Sequence, residues 1–108
     1  MVISSNLLAL VEKIRVMPGM YLGKRSLVAL NHFMGGYSAK EYEIGSDSRI
    51  PVVDLRDFEG YIESLYGLNA TTKDAFTLIA ENTKSDEEAF QRFFELLDDY
   101  LDYKVEEL

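Results

Sequence analysis

The segment SDEEAFQRFFELLDDYL, residues 85–101, decides the fold of this chain. Ser85 and Glu88 have the spacing of a capping box, and the two acidic residues between them suit the positive end of a helix dipole. The apolar residues that follow recur at helical spacing and share one wide face: Ala89, Phe90, Phe93, Phe94, Leu96, Leu97, Tyr100 and Leu101. A helix with so wide an apolar face is predicted to lie at the centre of the core.

Two helices are predicted in the first part of the chain. The first runs from Ser4 or Ser5 to Val16, and Ser5 is a suitable N-cap. The second begins at Ser26 and continues to about Tyr42. Both segments carry apolar residues at steps of three and four, which is typical of helices with one buried face.

Residues 43–53 break the helical period, and we interpret them as a loop that holds a short extended piece, with a short hairpin as the alternative. A third helix follows Asp54, and Gly67 stands past its end. A short fourth helix is expected to be capped by Thr71 or Thr72. Together with the segment first quoted, the pattern predicts an all-α fold of about five helices.

The composition is that of a globular chain. Its 108 residues are 47% hydrophobic and 28% charged, which is enough for one core, so we expect a single helical domain over residues 1–108. The absence of cysteine excludes disulfides and thiolate metal sites. The N-terminus lacks the basic start of a signal peptide, and no apolar run approaches the roughly 20 residues that span a bilayer. We expect a cytoplasmic protein without membrane contact.

The net charge of −8 is distributed unevenly. Residues 1–53 carry six basic and four acidic residues, a balance of +2, whereas residues 54–108 carry five basic and fifteen acidic residues, a balance of −10. An acidic surface repels nucleic acid and anionic membranes and attracts basic proteins. Solubility alone is the alternative explanation of this charge.

The acidic residues of the last helix follow a line. At helical spacing the line consists of Gln91, Glu95, Asp98 and Asp102, with Asp99 and Glu106 beside it. Acidic groups near a helix C-terminus oppose the dipole, each by about 0.3–1 kcal/mol at low salt, and only Arg92 and Lys104 offer nearby relief. A surface chosen for stability alone would carry lysines here, so this pattern adds weight to contact with a basic partner, beside the simpler interpretation of a solvated helix face.

No catalytic or metal-binding pattern emerges from the residues. His32 is the only histidine, and no partner stands four residues away on either side to make it a general base. The acidic cluster at Asp98, Asp99 and Asp102 lacks the alternating ligands and glycine of a calcium loop. We expect no catalytic residue, no metal and no cofactor. A small enzyme that uses His32 with nearby carboxylates remains a lesser hypothesis.

The stretch RVMPGMYLGK, residues 15–24, resembles an element of the ATPase domains of the superfamily that includes DNA gyrase and a heat-shock chaperone. In that family the next helix supplies a glutamate four residues before an asparagine, but here Leu27 precedes Asn31. The family's Asp-x-Gly-x-Gly motif does not follow, so the ATPase interpretation fails. We interpret the stretch as a connector in which Pro18 stops the first helix and Met20 and Tyr21 plug the gap between helices.

Two segments together resemble a group of small bacterial proteins. Residues 7–37, LLALVEKIRVMPGMYLGKRSLVALNHFMGGY, share with them a helix, an Arg-Pro-Gly-Met-Tyr-Leu-Gly turn, a Ser-Leu helix start and a Gly-Tyr, and residues 85–101 share a similar aromatic and acidic pattern. Met17 stands where arginine is usual, and Phe76 is nearest in character to a tryptophan expected between the segments. Proteins of this kind resemble immunity proteins of polymorphic toxin systems, including contact-dependent growth inhibition.

The resemblance implies a non-enzymatic antidote that binds a cognate toxin domain, a basic nuclease, and covers its active site. The expected toxin contacts are Glu95, Asp98, Asp99, Asp102 and Tyr103, with Tyr100 either a further anchor or core. Second candidates, near the 43–53 loop, are Glu41, Glu43 and Asp47. The residues assigned to the scaffold are Pro18, Gly19, Met20, Tyr21, Gly23 and Tyr37. The alternative function is an acidic adaptor or regulatory module for a host protein, and the oligomeric state is left open.

Overall fold

The computed structural model describes residues 2–45, 51–67 and 73–107. Six helices and one two-stranded sheet occur in these residues, which confirms the predicted all-α class. The elements in chain order are β1 (Val2–Ser4), α1 (Ser5–Val16), α2 (Pro18–Leu22), α3 (Leu27–Ile44), β2 (Pro51–Asp54), α4 (Leu55–Leu65), α5 (Ala75–Glu81) and α6 (Asp86–Glu106). None of the helices described is both long and apolar enough to cross a membrane.

Helix α6 lies at the centre of the core, as its apolar face predicts. It packs against α3, α4 and α5. The ring of Phe93 is fully buried and meets Phe58 of α4 edge-on at 6.0 Å and Phe76 of α5 face-on at 5.6 Å between centroids. Because three other helices bury their apolar residues against this one, the orientation of α6 is fixed, and with it the set of α6 residues that face solvent.

The start of α6 is capped nearly as predicted. The Ser85 hydroxyl accepts a hydrogen bond from the backbone N–H of Glu88 at 3.1 Å. The Glu88 carboxylate accepts in turn from the N–H of Lys84 at 3.3 Å, one residue before the position that a capping box uses. Side chains therefore satisfy one unpaired N–H group of the first turn, that of Glu88, and the N–H group of the residue before the N-cap.

Asp86 has an additional role that the sequence did not indicate. Its carboxylate accepts hydrogen bonds from the backbone N–H groups of Leu27 at 2.9 Å and Val28 at 3.1 Å, and from the hydroxyl of Ser26. Ser26 is itself the N-cap of α3 and accepts from the N–H of Ala29. The first turn of α6 thus holds the first turn of α3.

Strand β1 pairs antiparallel with β2, placing Ile3 opposite Val53. An extended piece within residues 43–53 is confirmed by β2, whose partner strand in the described residues comes from the N-terminus. Residues 46–50, which the alternative hairpin would need, lie outside the described residues. Ile3 and Val53 are both fully buried, so pairing these two short strands covers one side of the core. Residues 43 and 44 belong to α3 and not to a loop.

The connector after α1 contains a sixth helix, one more than predicted. Pro18 occupies the first turn of α2, where its missing N–H removes no hydrogen bond, and Gly23 ends the helix with φ of 78°. Tyr21 is half-buried against the core, but Met20 is 70% exposed, so its assignment as a plug is wrong.

Two predicted N-caps are also corrected. Helix α1 is capped by Ser4, whose hydroxyl accepts from the N–H of Leu7 at 3.1 Å. Helix α5 is capped by Asp74. Thr71 and Thr72 lie outside the described residues.

Candidate protein-binding surface

The exposed side of α6 carries a continuous acidic surface. At about 100° per residue, four exposed carboxylates fall within about 60° of one another. We call these residues the acidic face: Glu95, Asp99, Asp102 and Glu106. They lie opposite the side that α3, α4 and α5 cover, so the packing of the core directs all of them towards solvent.

Asp98 of the predicted line is used within the fold. Its two carboxylate oxygens accept hydrogen bonds from Nη1 and Nη2 of Arg15 at 2.9 and 2.7 Å. The Arg15 guanidinium also lies 5.2 Å from the centroid of the Phe94 ring. The hydrogen bond to Asp98 raises the pKa of Arg15 above its ordinary value. Asp98 therefore belongs to an ion pair between α1 and α6 and stands apart from the acidic face.

Only one end of the acidic face is neutralised. Glu95 pairs with Arg92 at 3.1 Å. Lys104 turns away from the face and pairs with Asp57 at 2.7 Å. Among the residues that the structure describes, no cation forms an ion pair with the other three members, Asp99, Asp102 and Glu106.

An aromatic pair borders the acidic face. Tyr103 stands one turn after Asp99, is 46% exposed, and its ring centroid lies 5.5 Å from that of Tyr61 on α4. Tyr61 was not predicted, because its position on α4 gives no sign that it meets α6. Desolvation and then the charge of Asp99 raise the pKa of Tyr61, while the charge of Arg92 acts to lower it.

Tyr100 belongs to the core. It is 3% exposed, and its hydroxyl donates a hydrogen bond to Oδ2 of Asp57 at 2.6 Å. Burial, followed by this hydrogen bond, raises the pKa of Tyr100 to about 12. Of the two tyrosines considered as anchors, only Tyr103 presents its ring to solvent.

The second candidates lie elsewhere. Glu41 is a helical residue of α3, 9% exposed, and accepts from the Ser4 hydroxyl, which lies 2.9 and 2.8 Å from its two carboxylate oxygens. Glu43 is exposed on the same helix, 3.9 Å from Lys40. Asp47 lies outside the described residues. Glu41 is therefore buried within the fold. Glu43 lies on α3, a different helix from the one that carries the acidic face.

A second exposed surface lies where α1 meets α2. It is lined by Val16, Met17, Met20 and Tyr21, which we call the apolar corner. The first three side chains are each at least half exposed. Contiguous exposed apolar residues mark sites of protein contact in many proteins. His32, weighed as a catalytic residue, is exposed on α3 and does not line this corner.

Comparisons with models of known protein families, with curated proteins and with solved structures found no match to this chain.

Proposed function

We propose that this protein is an immunity protein that binds and neutralises a cognate bacterial toxin domain. The observation that carries the proposal is the acidic face of α6. Asp99, Asp102 and Glu106 stand near the helix C-terminus without an ion pair to a described cation. Both the dipole and mutual repulsion disfavour such an arrangement in the isolated protein.

A basic partner would offset this cost. Nuclease active sites are basic because they must hold phosphate, so a nuclease toxin would present complementary charge to the acidic face. Opposite charges also speed encounter, and the rate falls as salt screens them. By occupying the surface that binds nucleic acid, the antidote would block the active site without any chemistry of its own, in the cytoplasm where the toxin acts.

Within this proposal Tyr103 serves as the aromatic anchor. Binding energy at interfaces concentrates in a few aromatic and arginine residues, surrounded by contacts that contribute less. Tyr103 is the exposed ring that adjoins Asp99, so it can supply apolar contact beside the charges. Asp98 contributes less, because its carboxylate already binds Arg15.

The test is protection of cells together with co-purification. We would express the chain beside the toxin domain encoded immediately upstream in its genome, and measure survival and complex formation across a salt series. The double variant D99K/D102K should lose protection. E43K is the control, since it makes the same kind of charge reversal, at one position instead of two, on an exposed part of α3.

Survival with a salt-sensitive complex that D99K/D102K abolishes and E43K retains is the expected result. Death of cells that contain folded antidote and active toxin would overturn the pairing. Protection that survives D99K/D102K but not E43K would move the interface from α6 to α3.

The second candidate function is an adaptor for a host protein. It is favoured by the apolar corner, because an adaptor needs a second surface and Val16, Met17 and Met20 are exposed on an element other than α6. Genetic neighbourhood separates the two functions, since an immunity gene follows a toxin gene. Capture of one host protein that M20K releases, without any toxin partner, would favour the adaptor. An enzyme would instead lose its activity in H32A.

A further inference from the structure

A groove runs between α4 and the last turns of α6. It has a volume of about 340 Å³ and borders the acidic face at Tyr103. We call it the α4–α6 groove. Its lining consists of Asp57, Tyr100 and Lys104 together with Gly60, Tyr61, Ser64, Leu65, Tyr103 and Glu107. The volume falls within the range of small-ligand pockets and is enough for a long side chain and part of its backbone.

The walls of the groove are aromatic and aliphatic. The rings of Tyr61 and Tyr103 are 5.5 Å apart and tilted by 38°, and Tyr61 also meets Tyr100 at 5.5 Å. Leu65 is half exposed on the α4 side. Ring faces of this kind carry negative electrostatic potential and attract cations, in addition to burying apolar stems.

One end of the groove already holds a cation. The Lys104 ammonium lies 2.7 Å from Asp57, 3.5 Å from Glu107 and 5.8 Å from the centroid of the Tyr100 ring. The hydrogen bond to Asp57 raises the pKa of Lys104 above its ordinary value. Lys104 is therefore an example of a cation that this groove binds between carboxylates and a tyrosine ring.

The side of the groove formed by Tyr61 and Tyr103 has similar components. Among the described residues Lys104 is the one cation that lines the groove, and Arg92, whose charge also acts on Tyr61, pairs with Glu95. Tyr61 and Tyr103 supply the rings. The charge of Asp99, on the acidic face, acts on Tyr61. Glu107 lies 3.5 Å from Lys104, farther than Asp57 at 2.7 Å. A planar guanidinium stacks on aromatic rings and binds carboxylates with paired donors, which a compact ammonium does less well. The aliphatic stem of arginine would cover Leu65.

We propose that the α4–α6 groove is the anchor site for an arginine side chain of the partner, stacked on Tyr61 and Tyr103 and facing Glu107, with Asp99 of the acidic face one turn before Tyr103. That this arginine belongs to a toxin domain rests on the proposed function. The chemistry of the groove does not, so the two can be tested separately.

Gly60 allows a sharp test. A Cβ built at this position meets no heavy atom within 4 Å, so a side chain can be added without displacing a neighbour. Gly60→Leu would fill the lining of the groove, whereas Gly60→Ala adds only a methyl group and serves as the matched control. Both replace glycine inside a helix with better helix formers, so both should fold.

The probe is N-acetyl-arginine methylamide, titrated into the isotope-labelled full chain at constant ionic strength and followed by NMR. We expect saturable shifts around Gly60, Tyr61 and Tyr103, with a dissociation constant on the order of 10 mM for a single side chain. Gly60→Ala should retain these shifts and Gly60→Leu should abolish them. The norleucine analogue, which lacks the charge, should produce none.

Three results would overturn the proposal: no shifts at the groove, shifts that persist in Gly60→Leu, or equal shifts from the norleucine analogue. Equal binding of the lysine analogue would overturn the assignment to arginine. In the survival assay, protection that Gly60→Leu retains and D99K/D102K loses would leave the immunity function standing without the groove. If the groove bound arginine but the protein gave no protection, the groove proposal would stand and the immunity function would be refuted.

Discussion

Arg15 on α1 binds both carboxylate oxygens of Asp98 on α6, at 2.9 and 2.7 Å, across 83 positions of sequence. This pair decides which part of the acidic line in α6 is available to a partner. Asp98 stabilises the packing of α1 on the central helix, while Asp99, the next residue, points to the exposed side. Neighbouring carboxylates of one cluster therefore have different roles.

Removing this pair should destabilise the fold modestly. We expect Arg15→Ala to lower the free energy of unfolding by about 0.5–1 kcal/mol, since both side chains are more than a third exposed and solvent screens their attraction. Urea unfolding would measure it. A double-mutant cycle with Asp98→Ala should return much of the loss as coupling energy, and a coupling of zero would contradict a role in holding α1 to α6.

Glu41→Ala should cost more, because this carboxylate is buried. The change leaves the Ser4 hydroxyl without its acceptor, and we expect a loss of about 1–3 kcal/mol in the free energy of unfolding. Glu41→Gln keeps an acceptor of similar shape and should cost less than Glu41→Ala. Equal unfolding midpoints for the two variants would show that the hydrogen bond contributes nothing.

Asp86 should make stability depend on pH in the acid range. Desolvation acts to raise its pKa, but hydrogen bonds from Ser26 and from the N–H groups of Val28 and Leu27 outweigh it, so the folded pKa lies below its ordinary value. The resulting stability is present above the unfolded pKa of about 3.9 and is lost as pH falls through the folded pKa.

Asp86→Asn should therefore reduce stability at neutral pH and flatten its decline below about pH 4 relative to the parent chain. Thermal unfolding across a pH series measures both effects. The loss at neutral pH should be on the order of 1 kcal/mol, because asparagine keeps one acceptor oxygen but loses the charge and the second acceptor. An unchanged pH profile would exclude this contact as a source of acid sensitivity.

Tyr100 should ionise at a higher pH than a tyrosine in solution. Its pKa of about 12 predicts a late step in a near-ultraviolet absorbance titration, and this step should vanish in Tyr100→Phe. The same variant removes the hydrogen bond to Asp57 and should destabilise the fold by about 1 kcal/mol. A titration curve that Tyr100→Phe leaves unchanged would refute the assignment.

Neutralising the acidic face should stabilise the isolated protein. Asp99→Asn with Asp102→Asn removes like charges from the last turns of α6, and the gain should be about 0.3–1 kcal/mol for the two changes together at low salt, from reduced mutual repulsion and from the helix dipole. Asparagine and aspartate have similar helix propensities, so the charge is the main change. Calorimetry at low and high salt checks it, and the gain should shrink as salt screens the charges.

The same double variant should bind the partner less tightly, which would link the stability cost to function. If the neutral variant were less stable than the parent chain, the charges of Asp99 and Asp102 would already be stabilised by cations of this protein. Glu43→Gln, a single change on α3, is a control that should leave partner binding unchanged.

Local patterns in the sequence were sufficient for five of the six helices described, and α2 was interpreted as a connector. The apolar period of α6 and the capping residue Ser85 predicted both its start and its central place, because hydrophobic spacing and capping act within a few residues. The class of the fold followed from the same signals. The caps of α1 and α5 were misassigned by one to three residues, since several hydroxyl and carboxylate side chains there satisfy the same preference.

The candidate site was predictable only in part. Its acidic residues and the exposed Tyr103 were visible in sequence, but Tyr61 was not, nor was the division between Asp98 and Asp99. Met20 was assigned to the interior from its place between helices, and the structure exposes it. A side chain's exposure depends on which neighbours the fold brings to it, and no local pattern carries that information.

The sequence by itself determined where helices form and that the surface of the last one is acidic, because periodicity, capping and charge are properties of nearby residues. Only the tertiary structure decided which charges remain available. It joined β1 to β2, Ser4 to Glu41, Asp86 to the start of α3, and Arg15 to Asp98. These contacts connect residues 37 to 83 positions apart, and they form only when burial of the core brings the elements together.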